Sequence, residues 1–224
     1  MNENKKAFAG DKKVGESILH SPEKKFIDKY TPRVPKFLET YHLTYMTIPW
    51  SILIIAFGFL AQWNIHWLWG MSMCIFLQWL TDAFDGAVGR YRNTGLIKWG
   101  YYMDHFLDYI FLCSILIGYS LLLPDNFKYL HFFTFALLGA FMVNAYLSFA
   151  ATNEFKITYL GIGPTEIRIV FILINTFLII FGKTYMTWSI PFVLIGALLG
   201  LVVVVYRTQK YIWKLDMNIK ANQK

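Results

Sequence analysis

Charge is what this 224-residue sequence has least of: 16% of its residues are Asp, Glu, Lys or Arg, against 56% hydrophobic and 19% aromatic. A soluble domain carries about 25% charged residues. Here the apolar excess is gathered into long runs, which excludes an ordinary soluble globule and points to a lipid-embedded chain. Cysteine is scarce as well. Cys74 and Cys113 both fall inside apolar runs, so they read as small apolar side chains and not as a disulfide framework. No His/Cys set has the spacing of a zinc site. Residues 1–39 hold no apolar core long enough for a cleavable signal peptide. Internal repeats are absent, which weakens the case for a repeat-built transporter.

What is present reads as an all-α integral membrane protein with six transmembrane helices, at about 42–62, 66–88, 99–123, 128–152, 166–183 and 185–206. The runs 167–181 and 190–205 are the clearest. The net charge of +7 does not call for a nucleic-acid partner, because its distribution follows membrane topology. With six spans, 19 of the 21 Lys/Arg fall on one side and only Lys128 and Lys183 on the other. Positive charge marks the cytoplasmic face, so both termini are expected there, in the inner membrane if the source is bacterial. The opposite turns, at Trp63–Trp69, Pro124–Asp125 and Gly182–Lys183, are short and leave no room for an external domain.

Three regions follow: a basic, interfacial segment 1–40, a six-helix catalytic domain 41–207, and a basic tail 208–224. Residues 21–36 interleave Lys24, Lys25, Lys29, Arg33 and Lys36 with Phe26, Ile27, Tyr30 and Val34. That pattern suits a short helix at the headgroups, which Pro32 and Pro35 then end. Tyr211, Ile212, Trp213 and Leu215 allow the tail to rest on the same interface.

An ionised side chain inside a span is costly and marks function. Four carboxylates, Asp82, Asp85, Asp104 and Asp108, lie within 27 residues and flank a cytoplasmic turn. At roughly 100° per residue, Asp82, Asp85, Gly86 and Gly89 share one helical face, and Gly100, Asp104 and Asp108 share another. Antiparallel packing of the two helices brings the faces into one pocket. Clustered carboxylates repel one another in a low dielectric, and an all-oxygen donor set suits Mg²⁺ or Mn²⁺. The glycines clear space for close approach, and the Arg90 fork matches phosphate oxygens. Together they describe a pyrophosphate site.

In this form the chain resembles the CDP-alcohol phosphotransferases, whose signature is D-x2-D-G-x2-A-R-x8/9-G-x3-D-x3-D. The residues are Asp82-Ala-Phe-Asp85-Gly86-Ala-Val-Gly89-Arg90, then nine others, then Gly100-Tyr-Tyr-Met-Asp104-His-Phe-Leu-Asp108. One fixed position departs, Gly89 in place of Ala. The resemblance implies attack by an acceptor hydroxyl on the β-phosphorus of a CDP-alcohol, with release of CMP, in phospholipid synthesis. It implies two divalent ions held by Asp82, Asp85, Asp104 and Asp108. Asp108 is also the general base, and Gly86, Gly89, Arg90 and Gly100 line the cytidine-diphosphate site. One substrate is lipid-linked, membrane lipids surround the protein, and a homodimer is expected.

Residues around the signature carry two readings each. Thr44 resembles a nucleotide-contacting threonine, although Thr40 and Tyr41 stand where Pro-Asn often precedes it. His105 reads as packing, with an echo of the Asp-His pair of choline and ethanolamine phosphotransferases. Arg92 reads as a topology anchor. Glu166 and Arg168 belong either to an ordinary helix start or to the acceptor pocket. The competing class is a transporter using buried carboxylates for cation or proton coupling. A polyprenyl-type transferase needs another aspartate spacing, and an intramembrane aspartyl protease needs a Gly-x-Gly-Asp element that is missing.

Overall fold

The computed structural model describes residues 12–13, 17–155 and 163–223. Lys5, Lys6, Lys156 and Lys224 of the topology argument lie outside the described residues. Helices dominate: α1 (His20–Tyr30), α2 (Thr40–Tyr45), α3 (Thr47–Leu60), α4 (Leu68–Arg92), α5 (Ile97–Ser120), α6 (Asp125–Thr152), α7 (Pro164–Phe181) and α8 (Thr184–Asn222). The exception is a parallel pair of two-residue strands, β1 (Lys12–Lys13) on β2 (Glu154–Phe155).

A long helix occupies each of the six expected spans. Thr40–Leu60 (α2 and α3 in succession), α6, α7 and Met186–Asn222 of α8 are long and apolar enough to cross a membrane. The helices α4 and α5 have 25 and 24 residues, so length does not separate them from the others. Their carboxylates and basic ends reduce their apolarity instead. By length and composition, then, the structure marks four membrane-crossing helices where the sequence suggested six.

The ends of the elements follow local chemistry. Pro32 lies in the 3-10 turn Thr31–Arg33 that closes α1. Asn93, with φ of 56°, caps α4 in the left-handed conformation that asparagine tolerates. At 39 residues, α8 exceeds what the hydrocarbon layer requires, and residues 208–222 simply continue it. Tyr211 on this extension donates to Glu154 Oε2 at 2.9 Å.

Packing centres on α3, which lies against both α4 and α5, while α7 packs on α4 and α6 pairs with α8. The core is built from Ile54, Leu68, Met71, Ile75, Ile115 and their neighbours. Deep in it, the Tyr119 hydroxyl donates to Asn175 Oδ1 at 2.9 Å, and Asn175 Nδ2 donates to Ser72 Oγ at 3.0 Å. This chain of bonds joins α5, α7 and α4. Asn175 lies two turns beyond Arg168 on the same face of α7, so fixing its rotation also aims Arg168 inward.

The α3–α5 contact is close because glycines meet there: a Cβ on Gly58 would lie 2.6 Å from Gly118 Cα. Gly58→Ala should therefore cost about 1–3 kcal/mol through overpacking. Gly196→Ala on α8, where nothing lies within 4 Å, should be neutral or stabilising. Thermal unfolding of the two variants beside the parent protein compares them; equal melting temperatures would contradict the close α3–α5 contact.

Candidate active site

Asp82 and Asp85 sit in the second half of α4, and Asp104 and Asp108 in the first half of α5, Asp108 at its midpoint. Asp85 is buried, and Thr44 on α2 donates to its Oδ2 at 2.5 Å. Thr40 reaches the Asp85 carbonyl oxygen at 3.4 Å. The other carboxylate oxygen, Oδ1, meets no partner among the described residues. On α5, Asp104 Oδ2 lies 3.4 Å from His105 Nδ1. Donor atoms of Asp104, His105 and Asp108 all fall within 4.8 Å of one another, as a metal-binding group requires.

The two carboxylate faces do not close directly on each other. Direct packing of α4 on α5 is slight, and α3 lies against both. From the other side α7 inserts Arg168, which is buried. Its Nη2 donates to Asp82 Oδ2 at 2.9 Å and to Asp108 Oδ1 at 3.3 Å. The guanidinium also stands over the Phe111 ring, 5.6 Å from its centroid. Arg168 thus links the two halves of the site, a role the sequence left open between an ordinary helix start and an acceptor pocket.

The donor chemistry fits a hard divalent cation. Of the four carboxylates, Asp82 and Asp108 share a single buried guanidinium, and the remaining negative charge is one that a low dielectric makes expensive. Asp85 Oδ1 is a buried acceptor without a donor, and its neighbours are oxygen ligands of the kind Mg²⁺ and Mn²⁺ take. His105 adds one nitrogen beside Asp104, so the group is not purely oxygen. Its ring is also packed against Tyr101, 4.4 Å between centroids, and Tyr146 donates to its carbonyl at 2.8 Å.

The glycines divide by environment. Nothing lies within 4 Å of a Cβ placed on Gly100, and at Gly86 only the flexible end of Arg90 approaches, Nη1 at 3.1 Å. Those two positions leave open space beside the carboxylates. Gly89 is filled instead: a Cβ there would meet Thr40 Oγ1 at 2.8 Å and Gly95 Cα at 3.1 Å. The departure inside the signature and the one upstream of it therefore touch. Thr40 stands in the Pro-Asn region, Gly89 stands at the Ala position, and the smaller residue makes room for the larger.

Arg90 is exposed at the end of α4. Arg92 does more than mark topology. Its Nη1 donates to the Leu38 carbonyl at 2.7 Å, and its Nη2 to Val34 and Pro35 carbonyls at 2.8 and 3.1 Å. It thereby pins the extended segment that leads into α2. Glu166 caps the start of α7 through the Gly163 N–H at 2.9 Å and accepts the Leu19 N–H at 2.9 Å.

A family model described as CDP-alcohol phosphatidyltransferase matches residues 41–206. The chain belongs to that family. No curated protein and no solved structure matches it. Family membership supports phospho-alcohol transfer in general, by an integral membrane protein, and it accounts for a cluster of carboxylates in an apolar bundle. In a CDP-alcohol phosphatidyltransferase built this way, the packing of the signature helix depends on the Thr40–Gly89 fit. Gly89→Ala alone should cost about 1–3 kcal/mol. Combined with Thr40→Ala, it should cost less than the sum of the single changes by at least about 0.5 kcal/mol. A double-mutant cycle from unfolding midpoints measures the difference; strict additivity would mean that the two side chains do not compete for the space.

Proposed function

We propose that this protein transfers a phospho-alcohol group from a CDP-alcohol to an acceptor hydroxyl and releases CMP, as a step of phospholipid synthesis. The observation that carries the reading is that one carboxylate from each half of the signature, Asp82 and Asp108, meets the other at Arg168. In this reading all six long helices cross the bilayer, with termini and site on the cytoplasmic side, and the protein acts as a homodimer.

Asp82, Asp85, Asp104 and Asp108 would hold Mg²⁺ or Mn²⁺, which when bound supplies charge neutralisation at the pyrophosphate. The remaining work falls to side chains. Thr44 fixes the Asp85 carboxylate by donating to one of its oxygens, leaving the other oxygen for ligation. Gly86 and Gly100 leave room for the nucleotide, Gly89 lets Thr40 close against the signature helix, and Arg90 offers its fork to a phosphate. Asp108 takes the proton of the acceptor hydroxyl as general base, and Arg168 keeps that carboxylate oriented.

Arg168 has a second task. Its Nη2 is engaged by Asp82 and Asp108, whereas its Nε has no partner among the described residues. A guanidinium so placed can hold a phosphate of the substrate through its free donors. Beside it lies a cavity of about 320 Å³ between α1, α4 and α7, walled by Leu19, Phe26, Ile75 and Ile172. Its apolar wall suits the chain of a lipid whose polar end is turned towards Arg168, which supports a lipid-linked substrate arriving from the bilayer.

The test uses purified protein with Mn²⁺ or Mg²⁺. The donor–acceptor pairs are CDP-diacylglycerol with glycerol 3-phosphate, inositol, inositol 1-phosphate or serine, and CDP-choline or CDP-ethanolamine with diacylglycerol. Metal-dependent CMP release from at least one pair is expected; its absence from every pair would sink the proposal. Asp108→Asn should lower turnover by at least about 10²-fold while CDP-alcohol binding persists. Full turnover in that variant would take the base role away from Asp108.

A further inference from the structure

The N-terminal helix α1 is held to the bundle by two different means. Its apolar face, through Ile27 and Tyr30, packs on a small cluster formed by Leu43, Phe84 and Val88. Phe26 adds a stacked contact with Trp79, 6.1 Å between centroids. Those contacts seat the helix on the bundle without any charged group. One carboxylate on α1 nevertheless points inward: Glu23 Oε1 accepts the Trp79 Nε1–H at 2.9 Å, and the Thr165 hydroxyl reaches Oε1 at 3.0 Å and Oε2 at 3.1 Å.

Its two partners are placed in parallel. Trp79 on α4 lies three residues, one turn, before Asp82, and Thr165 on α7 lies three residues before Arg168. Glu23 therefore ties α4 to α7 one turn away from the Arg168–Asp82 ion pair. Glu166 on α7 accepts the Leu19 N–H at 2.9 Å, so α1 and α7 grip each other in both directions. Between the three helices lies the cavity described above, with Glu23, Trp79, Thr165 and Arg168 all on its wall. Deeper in the bundle α7 packs directly on α4 and Asn175 bonds Ser72; at the cavity end, under α1, the Glu23 tie supplements that packing.

We propose that Glu23 is a positioning residue: by clamping the first turn of α7 to α4, it holds Arg168 in place for the substrate phosphate. The proposal rests on the phosphotransferase reading, because it takes Arg168 to bind phosphate. A group that holds phosphate in both the ground and transition states affects KM more than kcat. Loosening the clamp should therefore weaken binding of the phosphate-bearing substrate more than it slows the chemical step, which Arg168 reaches only through its bond to Asp108.

The test compares full-length protein with Glu23→Ala, Thr165→Val and Glu23→Gln variants in lipid nanodiscs. Two readouts are taken: amide hydrogen exchange over residues 164–172, and steady-state CMP release from the active pair of the panel above. In Glu23→Ala, exchange in that segment should rise, and KM for the phosphate-bearing substrate should increase about tenfold with kcat within about twofold. Thr165→Val should move both readouts the same way by less. Glu23→Gln should restore both, because its amide can accept from Trp79 and donate to the Thr165 hydroxyl. Unchanged exchange at 164–172 in Glu23→Ala overturns the clamp. A fall in kcat and thermal stability with KM unchanged also overturns it, leaving Glu23 as an anchor of α1. If the parent protein releases no CMP with any pair, the reaction assignment fails, and hydrogen exchange alone then decides whether the clamp exists.

Discussion

Four carboxylates set in an apolar helical bundle govern the rest of this structure. In water they would be unremarkable, but in a low-dielectric setting each needs a donor or a cation nearby. The protein supplies part of that need itself. Thr44 answers one oxygen of Asp85, His105 approaches Asp104, and Arg168 answers Asp82 and Asp108 together. What is left is an excess of negative charge over the one buried guanidinium, concentrated where α4 and α5 face each other. On the proposed reading, divalent ions and the substrate phosphates complete the balance, so binding and electrostatic relief are the same event.

Keeping that space available is a packing problem, and α3 solves it. A direct α4–α5 contact would press like charges together and fill the volume a pyrophosphate needs. The helix α3 instead lies against both, meeting α5 at Gly58–Gly118 and continuing α2, whose threonines face α4. Deeper in the bundle, the Tyr119–Asn175–Ser72 chain fixes the rotation of α7, and with it the direction of Arg168. Rigidity below the site and space within it thus come from different layers of the same helices.

Much of this was legible in the sequence, for a reason of scale. The signature spans 27 residues, and its meaning depends on helical phase, which a local pattern carries. The short N-terminal helix and its termination by Pro32 were legible on the same grounds. Arg168 was not, because its partners Asp82 and Asp108 are 86 and 60 residues away. Its only local signal, an arginine at the start of an apolar run, is shared by every cytoplasmic helix end. Glu23 was hidden for the same reason, being 142 residues from Thr165. The Thr40–Gly89 fit was half visible: Gly89 inside the signature and Thr40 upstream of it could both be seen as departures, but only the packing of α2 on α4 makes them one. The spans themselves were visible as apolar runs, yet the residues that give α4 and α5 their chemistry also weaken their apolar signature.

That trade-off bears on where such a site can lie. The cost of an ionised group grows towards the bilayer midplane and falls near the interface. Asp85 and Asp104 lie nearer the connecting turn, whereas Asp82 is ten residues before the end of α4 and Asp108 eleven residues after the start of α5. The site therefore reaches to the middle of both helices, and its depth makes neutralisation the more necessary. On the proposed reading, a lipid substrate turns its polar part into this layer. The apolar cavity under α1 reaches inward to Arg168, so the chain of such a lipid can remain in an apolar setting while its phosphate arrives at the carboxylate layer. The helix α1 over that cavity is tied by Glu23 to the two helices that carry Asp82 and Arg168; on the proposed reading, with α1 at the interface, this couples the position of the membrane surface to the geometry of the site. The basic residues of α1 then have a structural consequence beyond topology: whatever draws the helix to anionic headgroups also bears on the clamp beneath it.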